Sequence, residues 1–147
     1  MKKTGVVIAT IFGTLSCIVA LFVVAISLFG LYAPTFFESI PPEDIPPNEV
    51  QNIEMLTEAI EQVRPELWLE LRNGIIGFVT SVIVLITIRM KSSQRKYLFP
   101  LIAAGSAFIG AVFCCWMIMA LMIGALIGIG LIMLSHYLDD KATLTTS

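Results

Sequence analysis

The sequence predicts an all-α integral membrane protein, a four-helix bundle with an extracytoplasmic loop that carries an amphipathic helix. Three observations predict it. Of the 147 residues, 57% are apolar and only 14% charged, where a soluble domain carries about 25% charged residues. From Leu98 to Leu138 runs a 41-residue stretch without Asp, Glu, Lys or Arg. As one helix it would reach roughly 60 Å, about twice the ~30 Å hydrocarbon core of a bilayer, so it reads as two spans joined by a very short turn. Finally, the basic residues sort by side, as shown below.

The first span is expected over about 5–31. Met1-Lys2-Lys3 before an apolar stretch imitates a secretory signal. The stretch continues to Tyr32, beyond the roughly 7–15 residues of a signal core, and no small-x-small cleavage site stands out. Thr14-Leu15-Ser16-Cys17 lacks the leucine that a lipoprotein cleavage site places three residues before its cysteine. An uncleaved first span is therefore expected.

The outer loop follows, at about 33–72. It holds nine of the eleven acidic residues against Arg64 and Arg72, a net charge of −7. Pro41-Pro42 and Pro46-Pro47 fix φ and deny donors, so this piece is expected to be extended. From Asn48 to Arg64 the apolar residues Ile53, Leu56, Ile60 and Val63 lie 3, 4 and 3 apart, which is one helical face. Glu54, Glu58 and Glu61 form the opposing stripe. The helix is expected to end or kink near Arg64, because the residue before a proline resists helical geometry. Pro65 then opens the next helix, which runs through Trp68 into the second span. The apolar face has three readings: packing on the end of the bundle, docking of another protein or a peptide, and lying on lipid. The last is disfavoured because interfacial helices are rich in Lys and Arg, whereas this one is acidic.

The remaining spans are expected over 73–90, 98–115 and 118–137, with a basic inner loop over 89–97. Lys2, Lys3, Arg89, Lys91, Arg95, Lys96 and Lys141 then share one side, leaving only Arg64 and Arg72 on the other. The positive-inside rule puts the seven, and both termini, in the cytoplasm. A plasma-membrane protein with cytoplasmic ends is expected.

Small residues recur at helical spacing in three spans. Gly5, Ala9 and Gly13 do so in the first; Ala103, Ala107 and Ala111 in the third; and Ala120, Gly124 and Gly128 in the fourth. A second ridge, Ser106, Gly110 and Cys114, runs along the third. Such rows let helix backbones approach closely where lipid supplies no hydrophobic drive. They serve packing within the chain, or one of them faces a partner or a second copy.

No catalytic, metal or nucleotide motif is found. The central parts of the spans hold no ionisable side chain, which counts against a proton- or ion-coupled transporter made of one chain. Cys17, Cys114 and Cys115 lack neighbours at metal-ligand spacing and read as small apolar fillers, with an intermolecular disulfide as the alternative for the adjacent pair. His136, Asp139 and Asp140 share a face if the last helix continues. Gly124 to Gly130 looks like a proteolipid ring subunit, but the intramembrane carboxylate of that group is missing. No cofactor and no nucleic-acid partner is expected.

The basic inner loop, Arg89-Met90-Lys91-Ser92-Ser93-Gln94-Arg95-Lys96, precedes the Gly/Ala/Ile/Leu-rich pair Leu101 to Gly105 and Ile123 to Ile132. With the short basic start and a variable outer loop, this plan resembles a family of small four-span bacterial membrane proteins, mainly Gram-positive, whose shared domain has no assigned function. The resemblance implies topology and no activity. The functional expectation is a non-enzymatic accessory or interaction protein, for example an export-machine partner or an immunity-type protein, that docks through the acidic loop. The alternative is a component of an oligomeric channel or transporter. Expected partners are the lipid bilayer and another membrane or extracytoplasmic protein, or further copies of the chain.

Overall fold

The computed structural model describes residues 1–41, 43, 45–90 and 97–145. The basic residues Lys91, Arg95 and Lys96, and Pro42 and Asp44 of the proline-rich segment, lie outside them. Among the described residues the regular structure is helical, with no strand. Its four helices are α1 (Lys2–Glu38), α2 (Pro47–Arg89), α3 (Leu98–Phe113) and α4 (Trp116–Thr145).

Local chemistry explains most boundaries. Pro47 opens α2, where its missing N–H costs nothing, and the Glu49 amide donates to the Pro46 carbonyl at 2.8 Å. Glu49 in the first turn and Arg89 in the last both complement the helix dipole. The helix α3 stops because Cys114 is extended, with φ −102° and ψ 172°. Only Cys114 and Cys115 separate α3 from α4, so the 41-residue apolar run does fold back as a tight pair.

Two boundaries differ from the sequence expectation. The first helix continues to Glu38 with Pro34 inside it, and α2 is one element with Pro65 inside it. A proline in a helix interior removes one hydrogen bond, at a cost of about 3 kcal/mol. Pro65 and Glu61, the residue whose carbonyl loses its donor, are both exposed, so water can serve that carbonyl. What was expected as a 40-residue loop is mostly the ends of two long helices.

Three helices are long and apolar enough to cross a membrane: α1, α2 and α4. At 16 residues α3 is apolar but shorter, about 24 Å of helix.

The chain divides into two compact units. Unit 1 is Met1–Leu21 with Asn73–Ser147, and unit 2 is Phe22–Arg72. Unit 1 has a core of small and medium side chains: Ala9, Ala20, Val84, Ala103, Ala107, Ile118, Met122 and Ile129 are fully or almost fully buried. In unit 2 the ends of α1 and α2 touch at Gly30, where an added Cβ would lie 3.0 Å from a Leu67 methyl.

Candidate functional site

Unit 1 closes on itself. The small-residue row of α1 meets that of α4: a Cβ added to Gly128 would sit 2.6 Å from the Ala9 amide nitrogen and 2.8 Å from the Gly5 carbonyl oxygen. A Cβ added to Gly5 would meet the Gly128 oxygen at 2.6 Å. Backbone meets backbone here, so only glycine fits. Gly124 lies against the Phe12 ring, and Gly13 against Leu85 of α2. On α3, Ala103 and Ala107 are fully buried and Ala111 half-buried, while Gly110 faces Thr80 and Met122. Ala120 departs from its row: it is exposed, and the contact continues instead through Ile132, which lies against Gly5.

The buried hydroxyls of Ser16, Thr80, Ser81 and Thr87 in unit 1 bond to one another or to their own helices. Ser81 Oγ lies 3.1 Å from Ser16 Oγ and 2.6 Å from the Gly77 carbonyl oxygen. Thr80 and Thr87 donate to carbonyls three and four residues back. These contacts meet the polar groups' needs without solvent.

At the end of α4, the Tyr97 hydroxyl donates to Asp140 Oδ2 at 2.8 Å, and its ring meets the His136 ring edge-on at 5.9 Å between centroids. The hydrogen bond to Asp140, then burial and the nearby carboxylates, hold the Tyr97 phenol above its ordinary pKa. The helix does continue past Asp140, so His136 and Asp140, four apart, reach the same partner.

Unit 2 is different. The end of α1 and the first half of α2 form an open groove of about 460 Å³, lined by Phe37, Glu38, Ile53, Glu54, Thr57, Glu58 and Glu61. Phe37 and Ile53 are its apolar lining residues. Phe37 packs edge-on against Phe36. Thr57 donates its hydroxyl to the Ile53 carbonyl at 2.8 Å, so the groove gains no free donor from it. No ion pair or hydrogen bond engages the carboxylates of Glu38, Glu54, Glu58 and Glu61 among the described residues. No group of three or more His, Cys, Asp or Glu among those residues is placed to hold a metal ion.

The less exposed stripe of the first half of α2 is rotated from the one the apolar spacing predicts. Ile53 and Ile60 are half-buried, whereas Leu56 and Val63 are 47% and 42% exposed. The less exposed positions are Ile53, Thr57, Ile60, Leu67 and Leu71, which fit a 3.5-residue repeat. That is the period of a helix packing along one neighbour, narrower than the wide stripe of a helix lying on a surface. Sequence reasoning passed over Thr57 for the more apolar Leu56. It also missed Phe37 and Glu38, because it ended the first helix before them. The repeat itself was readable, as α1 carries the same one in Ala9, Gly13, Ser16, Ala20, Val23, Ser27, Gly30 and Pro34.

No family model, curated protein or solved structure matches the chain.

Proposed function

We infer that the chain is a four-span protein of the cytoplasmic membrane, of the plan shared by the small bacterial proteins it resembles. It acts as a non-enzymatic accessory protein that docks a protein partner through acidic unit 2. The observation that carries this reading is the groove: four carboxylates with no partner among the described residues, beside the apolar Phe37 and Ile53, on the parts of two helices that the positive-inside rule puts outside the cell. Charges left unpaired beside an apolar surface fit recognition better than folding, because they add nothing to self-packing.

The exposed surface of unit 1 supports membrane residence. Val7, Ile11, Leu15 and Ile18 of α1, and Phe108, Val112, Ile123, Ile127 and Leu134 of α3 and α4, are exposed large apolar side chains. Few soluble monomers expose so much apolar surface, and lipid would cover it. The shorter α3 would cross with local thinning of the bilayer or with help from Cys114 and Cys115. The alternative of an oligomeric channel is less well supported, since the hydroxyls of Ser16, Thr80, Ser81 and Thr87 turn to their own helices or to each other rather than lining a path.

Photocrosslinking in native membranes tests the docking reading. A probe at Thr57 should trap a discrete protein, while one at Ile127 should trap lipid. Lipid alone from both positions would count against docking. Topology has its own test in a cysteine-free background. Asp44→Cys should react with an impermeant reagent added outside, and Ser93→Cys only from inside; outside labelling of Ser93→Cys would reverse the assignment.

A further inference from the structure

We propose that the groove of unit 2 takes a cationic amphipathic helix of a partner protein, with Lys or Arg spaced to meet Glu54, Glu58 and Glu61 and an apolar edge seated on Phe37 and Ile53. This rests on the docking reading above and adds the chemistry of the partner.

Four features of the groove select this occupant. The three glutamates lie at positions i, i+4 and i+7 of one helix, so their row spans about 10 Å. A metal ion needs its ligands converged on one point, and no such group occurs among the described residues. A spread row matches several cations carried at helical spacing, which is how an amphipathic helix presents them. Glu38 then faces that row from the other wall of the groove, and α1 ends there with no basic residue in its last turn. The negative end of the α1 dipole therefore adds to the field instead of being neutralised.

The groove also offers an apolar floor in Phe37 and Ile53. A small hydrated polycation would gain nothing from that floor, whereas a helix with Leu or Ile beside its Lys residues buries both. The volume of about 460 Å³ is that of a small-molecule pocket, so anchoring side chains enter and the body of the helix lies along the opening. The cations of unit 2 itself do not meet this need: it contains only Arg64 and Arg72, and neither lines the groove.

The test uses the full chain in nanodiscs of zwitterionic lipid and fluorescent peptides read by anisotropy. One peptide is a Leu/Lys amphipathic helix. A second has the same composition scrambled, and a third has Glu in place of Lys. The amphipathic peptide should bind, weaken as salt rises, and lose at least about tenfold in affinity with the Glu54→Gln, Glu58→Gln, Glu61→Gln triple variant. Ile53→Ser should weaken it too, with the salt dependence kept. Equal binding of the scrambled peptide, or full competition by spermine, would overturn the proposal in favour of a diffuse acidic surface. So would undiminished binding to the triple variant, whose exposed Glu→Gln changes leave the helix intact. If no peptide binds while the Thr57 probe still traps a protein, the cationic-helix chemistry is wrong and docking stands. If the probe traps nothing either, docking falls as well.

Discussion

The two units use similar helices for opposite ends. In unit 1, interhelical contacts fall on glycine, alanine and serine, and backbone approaches backbone within the width of one methyl group at Gly5 and Gly128. In unit 2 the end of α1 and the first half of α2 meet where Gly30 takes the branched Leu67 side chain, and they leave an open acidic groove. Small side chains let dispersion and hydroxyl pairing hold helices together without a hydrophobic drive. A groove with unpaired charge gives up some self-packing and keeps a surface for something else. The contrast makes distinct predictions for each unit.

The largest effect is expected at Gly128. Gly128→Ala puts a methyl group against the Ala9 nitrogen and the Gly5 oxygen, and neither is the flexible end of a side chain. Overpacking of this kind costs about 1–3 kcal/mol, or roughly 2–4 °C of melting temperature per kcal/mol in a chain of this size. Gly130→Ala, two residues on with nothing within 4 Å, should cause no loss. Thermal unfolding in mild detergent separates them, and equal melting temperatures would show that the α1–α4 contact is loose.

Gly124 should be the next most sensitive position. Its neighbour is the Phe12 ring, a side chain that can turn aside, so Gly124→Leu should lower the melting temperature without abolishing folding. Ile123→Leu conserves volume on an exposed face and should leave it unchanged.

In unit 2, Ser27 is fully buried, and its Oγ has no hydrogen-bond partner among the described residues. A lone buried hydroxyl is a cost rather than a support. Ser27→Ala should therefore hold or slightly raise the melting temperature. A fall would reveal a bond that the free hydroxyl makes.

The smallest effect is expected from Tyr97. Its phenol titrates above the ordinary value because it donates to Asp140 and lies near other carboxylates. The folded pKa is raised, so the contact's contribution is present in full below the unfolded pKa of about 10. It is lost as pH climbs through the raised value. Asp140→Asn should lower the phenol's midpoint in an ultraviolet titration, and an unchanged midpoint would remove Asp140 as the cause.

Much of unit 1 was legible in the sequence, because its rules are compositional. The break in the 41-residue run, the rows Gly5/Ala9/Gly13 and Gly124/Gly128, and the buried Ala103 and Ala107 all followed from span length and small-residue spacing. Ala120 did not, because its spacing fits two faces and only the position of Phe12 and Ile132 chooses between them. Unit 2 was read less well. The apolar pattern ends the first span near residue 31 and Pro65 suggests an end or kink, yet α1 continues through Pro34 to Glu38 and α2 is one helix through Pro65, where the exposed Glu61 carbonyl is open to water. The acidic stripe Glu54, Glu58 and Glu61 was plain, but its partners Phe37 and Glu38 were hidden by that early break. Thr57 outranked Leu56 because a back-bonded hydroxyl removes the polar cost that hydropathy assigns to threonine.

The central claim is that unit 2 keeps its carboxylates for a partner and not for its own stability. The melting temperature of the full chain carrying Glu38→Gln, Glu54→Gln, Glu58→Gln and Glu61→Gln together, compared with the unaltered chain in the same detergent, tests it most directly. The account predicts an unchanged or higher value, since unpaired like charges three and four residues apart on one helix repel each other. A fall as large as that expected for Gly128→Ala would show that these carboxylates hold the fold together, and would contradict it.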